Sequence, residues 1–221
     1  TSPGINPAYC FERQINNASI YCKTGPEIND GDYSVTKKIL FPFGAWYNFL
    51  DHTSNGTNPN GRFLAINIGG VAGVGGILYS KPIADIIPNQ DIKVSLWAAN
   101  LLKIDPSNTQ SPPDLTIQLV KDLGLPSQTI IATSNTGNIP KSNAWINYQL
   151  TLNPGPNTNL SFVIRSNIAV TSGNDVVIDD IEVYQLPVAC LTTRNFPINI
   201  PCNQAFSSQV TGHRDVSCAG A

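Results

Sequence analysis

The sequence predicts an all-β fold: an antiparallel two-sheet β-sandwich of the jelly-roll type, with an irregular, cysteine-containing C-terminal extension. Three observations predict it. From about residue 32 to 185 apolar and polar residues alternate with a period of two, the pattern of half-buried strands. Clusters of Gly, Pro, Asn and Ser interrupt that alternation at short intervals, as turns between antiparallel strands require. No long stretch carries a helical period, and proline interrupts every candidate.

The elements run in order along the chain. Residues 1–28 are polar, are punctuated by Pro3, Gly4, Pro7, Gly25 and Pro26, and read as an N-terminal extension. Strands are expected at Tyr33–Lys38, Arg62–Ile68 and Gly76–Ile83. Ile92, Val94, Leu96 and Ala98 then alternate with Lys93, Ser95 and Trp97, and Leu115, Ile117 and Leu119 with Thr116 and Gln118. Ser127–Thr133 supplies another strand. Tyr148, Leu150 and Leu152 alternate with Asn147, Gln149 and Thr151, and Leu160, Phe162 and Ile164 with Ser161 and Arg165. Val176–Tyr184 closes a set of eight to ten strands. Turn clusters fall at Thr53–Gly61, Gly69–Gly76, Asp105–Pro113, Ser134–Asn143, Asn153–Asn159 and Thr171–Asn174, and a short helix fits only near Leu101–Ile104. The sandwich is thus placed at residues 29–186. Residues 187–221 hold three of the five cysteines and little periodicity. They read as a linker or the start of a following Cys-stapled module, with a flap packed on the sandwich as the alternative.

Composition narrows the class. Charged residues are only 13% of the 221, about half the usual share, and the net charge is −2. The surface must then be built from Asn, Ser, Thr and Gln, which suits a secreted protein that meets sugars or other neutral polar partners. No basic run or stripe exists, which argues against nucleic acid. No stretch is apolar for the roughly 18 residues of a membrane helix. The start, Thr1-Ser2-Pro3-Gly4, has neither the basic nor the apolar region of a signal peptide, and Met is absent, so the chain reads as a processed or excised piece. Cys10, Cys22, Cys190, Cys202 and Cys218 form no C-x-x-C pair, which argues against zinc. Cys10 and Cys22 are candidates for a short disulfide loop, and Cys190 for pairing with Cys202 or Cys218; free buried thiols are the alternative. Disulfides would place the chain in an oxidising compartment.

The residues that carry chemistry are acids and aromatics. Asp179-Asp180 lies inside the last expected strand, and a carboxylate buried there must be neutralised. Alternation puts Asp179 on one face with Val177, Ile181 and Val183, the expected core face. An inward carboxylate beside other carboxylates and loop carbonyls fits a hard cation, and calcium takes six to eight oxygen ligands. Asp179, Asp51, Asp32 and Asp30 are the candidate ligands of a structural calcium ion, in that order, against salt bridges or turn caps. A glycosidase pair would need two carboxyls flanking a cleft, and nothing around Glu12, Glu27 or Glu182 marks one. With only His52 and His213, and no G-x-S-x-G, nucleophilic catalysis has little material. His52 reads as a partner that fixes its loop rather than as a base. Exposed aromatics offer platforms on which the C–H faces of sugars stack. Trp97, Trp46 and Tyr47 are the candidates, while Trp46 and Trp145 read first as closures of the ends of the core.

Several segments together carry a resemblance. They are Asn29-Asp30-Gly31-Asp32-Tyr33-Ser34-Val35, Asp51-His52-Thr53, Asn60-Gly61-Arg62-Phe63-Leu64-Ala65-Ile66-Asn67, Leu78-Tyr79-Ser80, Ser95-Leu96-Trp97-Ala98-Ala99-Asn100-Leu101, and Ser172-Gly173-Asn174-Asp175 with Ile178-Asp179-Asp180-Ile181. In this order they resemble the jelly-roll modules of large secreted surface proteins of the Bacteroidetes, including gliding-motility adhesins exported by the type IX secretion system. The order is also similar to the MAM domain and, more distantly, to calcium-containing carbohydrate-binding modules. The cysteine positions depart from the MAM pattern. The resemblance implies a jelly roll, an ion near Asp51 and the Asp179 strand, and a non-catalytic role in adhesion or glycan binding at the bacterial cell surface. Surface polysaccharide or glycan, neighbouring domains of a larger chain, and the secretion machinery during export are the partners it implies. A dedicated carbohydrate-binding module of a secreted polysaccharide-degrading enzyme is the alternative, and a hydrolase a third reading.

Overall fold

A computed structural model describes residues 4–12, 27–69, 76–105, 107, 109–168 and 173–186. The chain divides after Gln185 into two units, and the first, Thr1–Gln185, contains every described strand. Cys22, Cys190, Cys202 and Cys218, and the expected extension at 187–221, lie outside the described residues.

Ten strands form: β1 (Cys10–Phe11), β2 (Asp32–Thr36), β3 (Phe63–Ile66), β4 (Ile77–Ile83), β5 (Ile92–Asn100), β6 (Asp114–Lys121), β7 (Thr129–Asn138), β8 (Ile146–Leu152), β9 (Leu160–Ser166) and β10 (Val176–Tyr184). One sheet has the order β1-β2-β3-β10-β5-β8 and the other β4-β9-β6-β7. Within β3 to β10, the first strand pairs with the last, the second with the last but one, and so inward to β6 with β7. That nesting is the winding of a jelly roll. The two sheets face each other across Leu96, Ala98, Ile117, Leu119, Phe162, Ile164, Val176 and Ile178, all buried.

Three sequence expectations change. Leu101–Ile104 is not helical: Leu101 and Leu102 are buried, and Leu102 forms a bridge with Trp46. β7 runs five residues into the expected turn at Ser134–Asn143, because Asn135 and Asn138 find ladder partners in Thr116 and Asp114. Residues 4–12, expected as part of an extension, supply Ile5 and Tyr9 to the core and β1 to a sheet edge, where it runs parallel to β2.

A second apolar cluster lies on the outer face of the six-stranded sheet. The segment between β2 and β3 folds back over that face and buries Ile39, Trp46 and Phe49 against Ala65, Ala99, Leu101 and Val177. Part of the outer face is thereby roofed, and beyond it Gln149, Thr151, Glu182 and Tyr184 are exposed.

Candidate functional site

The roof ends at Trp97, and the open part begins there. β5 is flanked by β10 and β8, and residues paired across a ladder project from the same face. Ile92, Val94 and Leu96 fill the core, so Lys93, Ser95 and Trp97 point outward. Their partners do the same. The rows are Tyr184–Lys93–Thr151, Glu182–Ser95–Gln149 and Asp179–Trp97–Asn147. With strands about 4.8 Å apart and two-residue steps of about 6.8 Å, the strip is roughly 10 Å wide and 14 Å long.

Its chemistry is mostly neutral and polar. Gln149, Thr151 and Glu182 are exposed, and Tyr184 keeps 46% of its surface in solvent. Asn147 Nδ2 donates to Ser95 Oγ at 3.1 Å, and Lys93 Nζ to Thr151 Oγ1 at 3.0 Å. These contacts orient the side chains. A tyrosine ring stands at one end and the Trp97 indole at the other.

At the Trp97 end the loop after β2 builds a wall. The His52 ring stacks on Trp97 with centroids 3.9 Å apart and planes 24° from parallel, and meets Trp145 edge-on at 5.9 Å. His52 Nδ1 lies 2.8 Å from Asp180 Oδ2. Thr53 Oγ1 donates to the same carboxylate at 2.7 Å, and the His52 amide donates to Asp179 Oδ2 at 2.9 Å. Asp180 takes a left-handed backbone, φ 46°, at a bulge between Asp179 and Glu182.

That bulge corrects the sequence expectation for Asp179. The extra residue flips the alternation. Val176 and Ile178 face the core, as do Ile181 and Val183 beyond the bulge, whereas Val177 packs in the outer cluster. Asp179 therefore lies on the outer face, on the Trp97 row, and does not share a face with Ile181 and Val183. Burial, eased by the His52 and Asp180 amides, pushes its carboxyl above the ordinary range.

The four candidate calcium ligands divide. Asp51 and Asp179 are neighbours at the wall. There Asp51 Oδ2 accepts from the Ser54 amide and hydroxyl, and both Asp179 oxygens accept backbone N–H groups. Those carboxylates already cap turns. Asp32 and Asp30 lie at the opposite end of the ladder, where Tyr33, Ile66 and Val176 are in register. Asp32 is level with Asp175, four strand residues or about 13 Å from Asp179. Asp175, which sequence reasoning passed over, is 6% exposed. Its Oδ2 accepts from Trp46 Nε1 at 3.2 Å and the Ile68 amide also favours its charged form, while its Oδ1 is buried with no well-formed hydrogen bond among the described residues. Desolvation first, and the neighbouring Asp30 charge second, push its carboxyl up to about 7. Among the described residues no three His, Cys, Asp or Glu side chains converge in a ready-made metal cluster. A cation at this end would draw on carbonyl and amide oxygens as well, which calcium accepts. The buried Asp175 oxygen fits that role; the N–H-capped Asp51–Asp179 pair does not.

The aromatic candidates also divide. Trp46 is 3% exposed and belongs to the outer cluster, with its N–H spent on Asp175. Tyr47 is half-buried, and its hydroxyl accepts from the Ile104 amide. Only Trp97 borders the open strip, beneath His52. The alternating polar halves of β5 and β8 were visible in the sequence; their juxtaposition, and the addition of Tyr184 and Glu182, required the ladder. Cys10 is disulfide-bonded.

No family model matches the chain, and no curated protein matches it. Among solved structures, a CBM4 module is similar at 12% identity, with 58% of this chain and 74% of that chain covered and a TM-score of 0.43. A xylan-binding domain from Paenibacillus barcinonensis is similar at 10% identity, covering 58% and 81%, with a TM-score of 0.35. A cyclase from Fischerella sp. TAU is similar at 15% identity, covering 72% and 77%, with a TM-score of 0.45.

Proposed function

We propose that this chain is a non-catalytic glycan-binding module of an extracellular protein, and that the open strip on β10, β5 and β8 is its sugar site. One observation carries the reading: a solvent-facing sheet surface lined by Ser95, Asn147, Gln149 and Thr151 and bounded by Tyr184 and Trp97. Hydroxyl and amide groups recognise sugar hydroxyls, and aromatic faces take the C–H faces of pyranose rings. The low charge of the chain fits a neutral ligand. Of the acids beside the strip, Asp179 is capped by amides and Asp180 is held by His52 and Thr53. Glu182 therefore lacks the free second carboxyl that glycoside hydrolysis needs, which favours binding over catalysis. The Cys10 disulfide suits an oxidising compartment. A cell-surface adhesin is the setting this reading favours, and a module beside a polysaccharide-degrading catalytic domain is the alternative. A structural calcium ion belongs to the proposal at Asp175, with Asp30 and Asp32 as neighbouring carboxylates; it would neutralise buried charge and take no part in sugar contact.

Calorimetric titration with xylohexaose, cellohexaose, mannohexaose and maltohexaose tests the site. At least one should bind. Tyr184→Ala and Gln149→Ala should each weaken it about tenfold, ~1.4 kcal/mol, with the melting curve unchanged. Binding that survives both substitutions would move the site elsewhere.

A further inference from the structure

The strip is a blind alley. Along β5 its outward residues run Lys93, Ser95, Trp97 and then Ala99, and Ala99 is buried under the outer cluster. A ligand lying parallel to the strands enters past Tyr184 and meets the His52 wall. The wall is anchored from four sides: the stack on Trp97, the edge contact with Trp145, the Asp180 carboxylate and the Asp179 carboxylate. The loop behind it is tied down too, by the Asp51 amide to Lys37 O at 2.9 Å and by Trp145 Nε1 to Leu50 O at 3.1 Å. His52 occupies the very place over the indole that a sugar ring would take. The strip is about 14 Å along the strands and about 10 Å across them, and its exposed ring, Tyr184, stands at the end away from His52, so a chain laid along its length runs toward the wall.

We infer that the site reads the ends of glycan chains, with His52 as the residue that sets this specificity by stopping the chain at Trp97. The inference rests on the proposed glycan site. An interior segment of a polymer running along the strands would need to pass through the His52–Asp180–Thr53 wall. A terminal segment needs only to stop against it. His52 is then a positioning and length-determining residue rather than a ligand-binding platform.

The test uses the intact chain and a size series of whichever glucan, xylan or mannan the hexasaccharide titration selects. Protein bound per chain is measured by calorimetry and analytical ultracentrifugation as chain length grows. Recognition of ends gives a constant number of bound molecules per chain, with capacity per gram falling as chains lengthen. Recognition of interiors gives a number that rises in proportion to length, and that result would overturn the inference while leaving the glycan site intact. If none of the hexasaccharides or polymers binds, the glycan reading itself fails. His52→Ala should convert the first behaviour into the second, with Trp97 emission newly sensitive to the added sugar. Should that variant fold poorly, Asp180→Asn, which weakens the latch and keeps the ring, should raise the number bound per long chain. The wild-type stoichiometry decides whether ends are read, and a folded His52→Ala chain that still binds a constant number per glycan chain would overturn the role given to His52.

Discussion

Asp175 is a buried carboxyl whose charge the fold must neutralise. Burial first, and the neighbouring Asp30 charge second, push its carboxyl up from the ordinary range to about 7. An acid whose folded pKa is raised holds its proton longer folded than unfolded. Its stability contribution is therefore greatest below about pH 4, declines as pH rises, and is fully lost above about 7. In excess chelator the melting temperature should accordingly fall between pH 5 and pH 8. A cation at the same oxygen replaces the proton, so calcium should restore the melting temperature at pH 8 and flatten its pH dependence. Asp175→Asn should remove both responses. Calorimetric melts that slope with pH but ignore calcium would identify Asp175 as a plain buried acid and remove the ion from the proposal.

At the scale of elements, the loop after β2 decides which part of the sheet is available. Gly61 shows how closely it is packed: a Cβ there would sit 2.5 Å from Asp51 Oδ2. Gly61→Ala should destabilise the fold by ~1–3 kcal/mol, the usual cost of overpacking, and disturb the wall that Asp51 caps. An unchanged denaturation midpoint would mean that the Asp51 turn gives way easily to the added methyl. Phe49→Ala, which empties the outer cluster, should cost ~3–5 kcal/mol. The strands themselves were largely legible, because Ile92 to Ala98 and Tyr148 to Leu152 alternate without interruption. The fate of Asp179 was not. Its face depends on Asp180 adopting a left-handed backbone, and an Asp-Asp pair inside an apolar run gives no local sign of that. The roof was equally hidden. Trp46, Phe49 and Val177 are plainly apolar, but alternation assigns a strand two faces without saying that both will be covered. The glycan strip was half legible, since the polar halves of β5 and β8 show in their alternation while their pairing with Tyr184 is a long-range fact.

The whole molecule depends on its N-terminal segment more than its sequence suggests. Jelly-roll winding leaves β4 at one edge of the smaller sheet and β2 near one edge of the larger. Residues 4–12 bridge the two. Ile5 forms a β-bridge with Tyr79, the Ser80 amide donates to Gly4 O at 2.7 Å, and the Asn6 amide donates to Leu78 O at 3.3 Å, all on β4. Cys10 and Phe11 then pair with Asp32 and Tyr33 on β2. Between these contacts Ile5 and Tyr9 enter the core, Tyr9 with 2% of its surface exposed. The segment thus closes one side of the sandwich as a strap. A chain beginning at Asn29 loses three buried apolar side chains, Ile5, Tyr9 and Ile28, each worth ~2–5 kcal/mol when deleted, against a total stability of about 5–15 kcal/mol for an ordinary domain. It also uncovers the backbone edges of β2 and β4, which invites association. Such a chain should unfold or aggregate at room temperature, whereas one ending at Gln185 keeps every described residue of the two clusters and should still melt cooperatively. A soluble, cooperatively melting chain from Asn29 would show instead that the sandwich is complete without its strap.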